Sequence, residues 1–312
     1  MSDVIEQVKA VLAAAGDSLN QAQVARQSGI SEAVLSALIA GNYKGNVERN
    51  IAKLAKWLKT RVERNQKRAE LKATHGESWL PLPTSRRIEG VLKMSQALCS
   101  WGLVYKGAGV GKTSTALHYQ KENSNVWIFT ADPFRNNEMA VLQGLCCLLK
   151  IDFRGQTRAG MSSAIIEKIS HSEGLLIIDE AQYLSERILN GIRVLTENRI
   201  GVVLLGNDVV RTRMSSPRSA VDMNPVWSRV IGCLELPTVA RDDITRYLKE
   251  CWGIDKADLV RYACDKVPQS KGALRSLKMA LRVATSIATS KSVELGLPEF
   301  KEGWRMVEVN SR

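Results

Sequence analysis

The sequence has no apolar run approaching the ~18 residues that cross a bilayer, no Cys-x-x-Cys pair and only three histidines. The first absence argues against an integral membrane protein. The other two argue against a zinc site. Six scattered cysteines (99, 146, 147, 233, 251 and 264) in 312 residues read as reduced, mostly buried thiols, not as a disulfide framework. The opening residues Met-Ser-Asp-Val-Ile-Glu lack the basic and apolar stretches of a secretion signal. A cytoplasmic location is therefore expected. Acidic residues are also in deficit: 32 Asp and Glu stand against 44 Lys and Arg, a formal charge of +12. That surplus points to an acidic partner, nucleic acid or an anionic membrane. With 45% hydrophobic and 24% charged residues the composition is ordinary, which excludes wholesale disorder and fibrous folds. The length suits two or three domains.

The charge is unevenly spread. Between Lys44 and Lys72 there are ten Lys/Arg against three Glu, a net +7 in 29 residues. Ahead of this stretch lies QAQVARQSGISEAVLSALIA, residues 21–40. Val24 and Ala25 fall in a first helix, Gly29 supplies a turn, Ser31 an N-cap, and Leu35 and Leu38 face back toward Val24. The spacing resembles a helix-turn-helix, although Ser28 is more polar than that pattern prefers. From Ser31 to Ala40 there is no Arg, Lys, Asn or Gln, the side chains that read base edges by paired hydrogen bonds. The cations come later, at Lys44, Arg49, Lys53, Lys56, Lys59, Arg61, Arg64, Lys67 and Arg68, and suit phosphates. A single helix is expected over Val47–Leu71, with Ile51, Leu54, Leu58 and Val62 as its apolar stripe and a solvated basic arm beyond. Double-stranded DNA bound with little sequence preference is the expectation. A plain charged helix face, or a helical hairpin that only packs, is the alternative.

Pro81 and Pro83 are expected to break any helix and mark a linker. Beyond residue 84, short Val/Ile/Leu runs alternate with helical segments, which predicts a parallel sheet flanked by helices. The first strand, Gly102–Tyr105, leads into Lys-Gly-Ala-Gly-Val-Gly-Lys-Thr-Ser, residues 106–114. Such a loop wraps phosphates with backbone N–H groups of Gly107, Ala108, Gly109, Val110 and Gly111. Lys112 supplies charge to the β and γ oxygens, and Thr113, followed by Ser114, supplies a hydroxyl for Mg²⁺. The strict pattern has glycine at the position of Lys106, and Gly107 can supply that turn instead. A second apolar run, Leu175–Ile178, ends in Asp179 and Glu180, 67 residues after Lys112. It resembles a Walker B segment, in which Asp179 orients Mg²⁺ and Glu180 polarises water. ATP or GTP binding follows from the two motifs in this order. The run Gly201–Gly206 ends at Asn207, which resembles the sensor 1 of AAA+ ATPases, or is a plain turn residue. Arginines 211, 213, 218 and 229 follow, before a strand expected near Cys233–Leu236. Three helices are expected over 241–290. The last opens as Gly-Ala-Leu-Arg, which places Arg275 where a helical lid would present a sensor 2 arginine. The stretch 291–312, with Phe300, Trp304 and Val307, is either a packed tail or a partner-binding segment.

Taken together, these segments resemble the Mu B-type family of target-DNA activators, AAA+ ATPases of the IstB- and ExeA-like neighbourhood. The fold class expected is α/β. Residues 1–65 form a helix-turn-helix domain, 66–84 a basic arm and linker, 85–238 an AAA+ core, and 239–312 the lid and tail. The resemblance implies ATP and Mg²⁺ as cofactors and self-association into a helical filament on double-stranded DNA. It implies delivery of that DNA to a DDE transposase, which with DNA stimulates hydrolysis, and no membrane partner. It also implies that Arg229, with Arg218 second, reaches a neighbouring subunit's nucleotide. A basic track over Lys150, Arg154 and Arg158, flanked by Arg135, would contact DNA, with Lys106 divided between DNA and nucleotide. A helicase loader, or a DNA-binding regulator for which nucleotide is only a ligand, are the alternatives. Glu180 speaks against the regulator, since a water-polarising carboxylate has no use without hydrolysis.

Overall fold

The computed structural model describes residues 2–15, 19–73, 79–215 and 223–309, with side chains over the same spans except at 2, 66–73, 214–215 and 309. Arg218 and the side chains of Lys67 and Arg68 lie outside the described residues. The chain divides into two compact units, Met1–Gly76 and Glu77–Arg312.

The first unit is helical: α1 (Ser2–Ala15), α2 (Gln21–Ser28), α3 (Glu32–Ile39) and α4 (Val47–Ala73). Asn20 and Gln23 start α2 with a reciprocal capping box, and Gly29 ends it at φ 70°. Ser31 accepts from the Val34 N–H and starts α3. Val8, Val24, Leu35, Leu38, Leu54 and Leu58 pack as one core. The Ser28 hydroxyl donates to the Val24 carbonyl at 2.8 Å, so a polar side chain sits there satisfied by its own helix. The apolar stripe of α4 ends one turn earlier than its sequence suggests: Leu58 is buried, whereas Val62 is 48% exposed. Lys53 does not extend into solvent; its ammonium donates to the Gly29 carbonyl at 2.9 Å.

The second unit begins with α5 (Pro83–Ala97). Pro83 opens this helix and breaks none, because a first-turn N–H has no helical acceptor to lose. The cap comes from far along the chain: the buried Asp243 carboxylate accepts from the Thr84 N–H at 3.1 Å and from its hydroxyl. Next come β1 (Trp101–Tyr105), α6 (Lys112–Glu122), β2 (Val126–Thr130), α7 (Glu138–Leu149), α8 (Arg158–Ile169) and β3 (Leu175–Asp179). They are followed by α9 (Glu186–Thr196), β4 (Gly201–Leu205), α10 (Asp208–Ser215), α11 (Asn224–Trp227) and β5 (Val230–Glu235).

The five strands form one sheet in the order β2-β3-β4-β1-β5, and every pairing is parallel. Parallel neighbours need crossovers, and the helices supply them. The central strands β1, β3 and β4 are buried along their whole length, while the edge strands are partly exposed. Alternation along each strand feeds two cores. Leu103, Leu176, Ile178, Val202 and Leu204 pack with α7, α8 and α9. Val104, Leu175, Ile177, Val203 and Leu205 pack with α5, α6 and the C-terminal helices. Each fully buried aliphatic side chain of this kind contributes about 1.5–3 kcal/mol. The fold is α/β.

The C-terminal helices are α12 (Arg241–Arg246), prolonged by a π turn over Tyr247–Cys251, α13 (Ala257–Lys266), α14 (Ala273–Lys291) and α15 (Leu297–Val309). Helix α15 is a packed element: Phe300 and Trp304 are buried in the same core as α14. No helix among the described residues is long and apolar enough to cross a membrane.

Candidate nucleotide site

The loop between β1 and α6 is left-handed at four of its six positions, 106–111. Lys106 has φ 67°, Gly107 φ 40°, Gly109 φ 70° and Gly111 φ 98°. Val110 is buried at 2% exposure and anchors the loop in the core, so its contribution to a phosphate is through its backbone. Gly111 precedes α6 without a side-chain cap. The first N–H groups of α6 thus face the loop, ready for an anion, and the helix dipole favours negative charge there.

Three chemistries meet at this loop. The Lys112 ammonium donates to the carbonyls of Lys106 and, at 2.6 Å, of Gly107. Burial pulls its pKa below the ordinary lysine value, the carboxylates of Glu180 and Asp179 oppose the shift, and Arg275 adds to it. The Thr113 hydroxyl donates to the Asp179 carboxylate at 2.8 Å. Asp179 is 5% exposed, and burial pushes its pKa up against the hydrogen bonds from Thr113 and the Glu180 N–H. A hydroxyl and a carboxylate side by side are the hard oxygen donors that Mg²⁺ takes. Glu180 follows in a left-handed turn at φ 54° with its side chain exposed, and Gln182 donates to its carboxylate.

The lid-side helix closes on the loop by backbone contact. A methyl group placed on Gly109 would lie 1.9 Å from the Gly272 carbonyl oxygen and 3.4 Å from the Cβ of Arg275. The first turn of α14 therefore rests on the phosphate loop, and Arg275 stands close enough for its charge to reach Lys112. Ser114 and Ala108 are exposed beside these groups.

Asn207 is exposed at the tip of β4, between β1 and β3 in the sheet, and its amide oxygen accepts from the Val209 N–H at 3.0 Å. Arg229 lies at the opposite end of the strands: its carbonyl accepts from the N–H of Trp101, the first residue of β1. Five strand residues at ~3.3 Å each put about 16 Å between the two ends. Its guanidinium grips Glu197, with 2.8 Å from Nε, and Arg193 holds the same carboxylate at 2.7 Å. Hydrogen bonding to Arg229 holds the Glu197 carboxyl below its ordinary range. Lys106 pairs with Glu235 at 2.6 Å.

Of the proposed track, Lys150 ends α7 at φ 57°, Arg154 is exposed, and Arg158 pairs with Glu138 at 3.2 Å. Arg135 pairs with Asp132 at 2.7 Å. Sequence reading passed over Gln182, Glu197, Glu235 and Arg187, the last bonded to Glu138 at 2.5 Å. Arg213 donates to the carbonyls of Gln182 and Leu184 and so pins the segment after the paired acids.

Comparison with known proteins matches residues 99–214 to the AAA domain family. The Mu-like prophage FluMu DNA transposition protein B of Haemophilus influenzae is 33% identical over 83% of this chain and 89% of that protein. The ATP-dependent target DNA activator B of Escherichia phage Mu is 27% identical over 92% of this chain and 90% of its own length. Its counterpart from Escherichia phage D108 aligns to the same extent. Among solved structures, domain III of the Thermotoga maritima replication initiation protein DnaA aligns with 72% of this chain and 92% of its own length. The identity there is 15% and the TM-score 0.49. With the AAA domain in place and the identity to the prophage protein sustained over most of both chains, this chain belongs to the Mu-type transposition protein B family of AAA+ proteins.

Proposed function

We propose that this chain is an ATPase that uses its nucleotide state to hold double-stranded target DNA, with little base discrimination, for a DDE transposase. The observation that carries the reading is the meeting of Lys112, the Thr113–Asp179 pair and Arg275 at one phosphate-shaped loop. Backbone N–H groups from Gly107 to Gly111 and the start of α6 wrap the phosphates. Lys112 exchanges its carbonyl acceptors for phosphate oxygens, which are stronger partners. Thr113 and Asp179 would hold Mg²⁺, which when bound neutralises phosphate charge. Glu180, exposed beside Asp179, orients the attacking water, and Asn207 and Arg275 approach the γ-phosphate from the sheet and from the lid.

The names of the relatives support target DNA and transposition as the setting. Helix α3 carries Glu-Ala-Val-Leu-Ser-Ala-Leu-Ile, without a base-reading side chain, which favours phosphate contacts over sequence readout. Lys44, Lys56, Arg64, Lys150 and Arg154 are the cations we assign to DNA, with Lys53 and Arg158 available once they leave their intrachain partners. Arg229 cannot reach its own phosphate loop and is assigned to a neighbouring subunit's site in a helical filament, so hydrolysis depends on assembly on DNA and on the transposase.

The test is binding of the full chain to two unrelated duplexes with ATP, with ADP and without nucleotide. Both duplexes should bind alike with ATP, and ADP should weaken both by about tenfold or more. Equal affinity in all three states, or strong preference for one duplex, would remove the reading.

A further inference from the structure

One residue of the phosphate loop departs from the Gly-x-x-x-x-Gly-Lys-Thr pattern. Lys106 stands where the first glycine belongs and adopts φ 67°, a conformation that glycine reaches without a steric cost and lysine does not. Its side chain is not directed at the nucleotide site. The ammonium donates at 2.6 Å to Oε1 of Glu235, the last residue of β5. The preceding residue, Tyr105, donates its hydroxyl at 2.6 Å to Oε2 of the same carboxylate. One acid on the edge strand thus clasps the two consecutive residues through which β1 turns into the loop. The backbone of Lys106 is itself in use, since its carbonyl accepts from Lys112. A fourth member comes from α10, where Arg211 lies 5.4 Å over the Tyr105 ring.

We propose that Glu235 is a positioning residue for nucleotide binding: by gripping Lys106 and Tyr105 it holds the left-handed turn that a glycine would adopt unaided. Lys106 and Glu235 together replace the missing glycine. Glu235 touches no nucleotide. It acts through the Lys106 backbone, whose carbonyl sets where Lys112 waits. The inference rests on the reading of the 107–114 loop as the phosphate site.

The experiment is a double-variant cycle in the full chain, read as affinity for Mg²⁺-ATP and as KM against kcat. Glu235→Ala should weaken ATP binding about five- to tenfold, appearing in KM with kcat within about twofold. In the Lys106→Gly background the same Glu235→Ala change should have less than about a twofold effect, because glycine holds the turn without help. Three results would overturn the proposal. One is parent-like ATP affinity in Glu235→Ala. Another is an undiminished effect of Glu235→Ala in the Lys106→Gly background. The third is loss of ATP binding in Lys106→Gly alone, which would assign the ammonium to the nucleotide. Lys112→Ala serves as the separate control. If it binds ATP like the parent, the phosphate-site reading itself fails, whatever Glu235 does.

Discussion

In the proposed mechanism Lys112 holds the phosphates and Glu180 serves their cleavage. Lys112 is partly buried among backbone carbonyls, and burial has already weakened its hold on its proton. A phosphate entering the loop supplies the negative charge that this ammonium lacks. Lys112→Ala should therefore lose ATP binding and, with it, nucleotide-dependent DNA binding. Glu180 is exposed and its carboxylate accepts from Gln182, so Glu180→Gln changes charge with little change of shape. It should bind ATP like the parent and hydrolyse it about 10²–10⁴-fold more slowly, the usual worth of a positioned base. Persistent DNA binding after ATP addition, measured beside phosphate release, checks both halves; parent-like phosphate release would strike Glu180 from the assignment. These residues are legible in the sequence because loop glycines, lysine and hydroxyl are contiguous, and the paired acids end an apolar run. Glu235 and Glu197 are not legible. Each earns its place from a partner distant along the chain, 129 residues for Lys106 and 32 for Arg229, and an acid at the end of a strand or helix carries no spacing signal.

At the scale of elements, periodicity explains what could be read. The buried central strands β1, β3 and β4 are near-continuous apolar runs, WGLVY, LLIID and GVVLL, and that composition announces them. Helix boundaries were less legible where the signal is a tertiary contact. Pro83 reads as a breaker, and only the Asp243 carboxylate from the lid side turns it into the start of α5. The end of the α4 stripe at Leu58 likewise depends on how far the small helical core extends, which Val62 by itself does not reveal. The Gly-Ala-Leu-Arg start of α14 points Arg275 to the nucleotide by resemblance, whereas the backbone contact of Gly272 with Gly109 carries no sequence signal. Gly109→Ala would add a methyl group 1.9 Å from the Gly272 carbonyl, at a residue with φ 70°. Neither backbone can yield cheaply, so α14 must shift and carry Arg275 with it. ATP affinity should fall by about tenfold or more, while thermal unfolding moves only as far as a local strain of about 1–3 kcal/mol allows. Parent-like ATP affinity in this variant would separate the lid from nucleotide binding.

At the scale of the whole molecule, the sheet places Arg229 and the phosphate loop at opposite ends of its strands. No side chain bridges the ~16 Å that five strand residues impose. A single subunit therefore carries a loop without this arginine, and in the proposed assembly a neighbour supplies it. In the conformation described, Glu197 holds the guanidinium, so on the proposed reading the arginine exchanges that carboxylate for a phosphate when subunits assemble. Two consequences follow for variants studied on DNA. Arg229→Ala should bind ATP within about twofold of the parent, because its own loop is untouched, yet lose most hydrolysis, at about 2–4 kcal/mol of transition-state stabilisation. Mixed with Lys112→Ala protein, which lacks the loop lysine but keeps the arginine, it should recover activity. In mixed assemblies some Arg229→Ala loops face an intact Arg229. The recovered rate should rise and fall with the mixing ratio, with a maximum where unlike neighbours are commonest. Phosphate release at a series of ratios and constant total protein gives that curve. A flat baseline at every ratio would mean that Arg229 does not act across subunits, and would leave it as the partner of Glu197 at the start of β1.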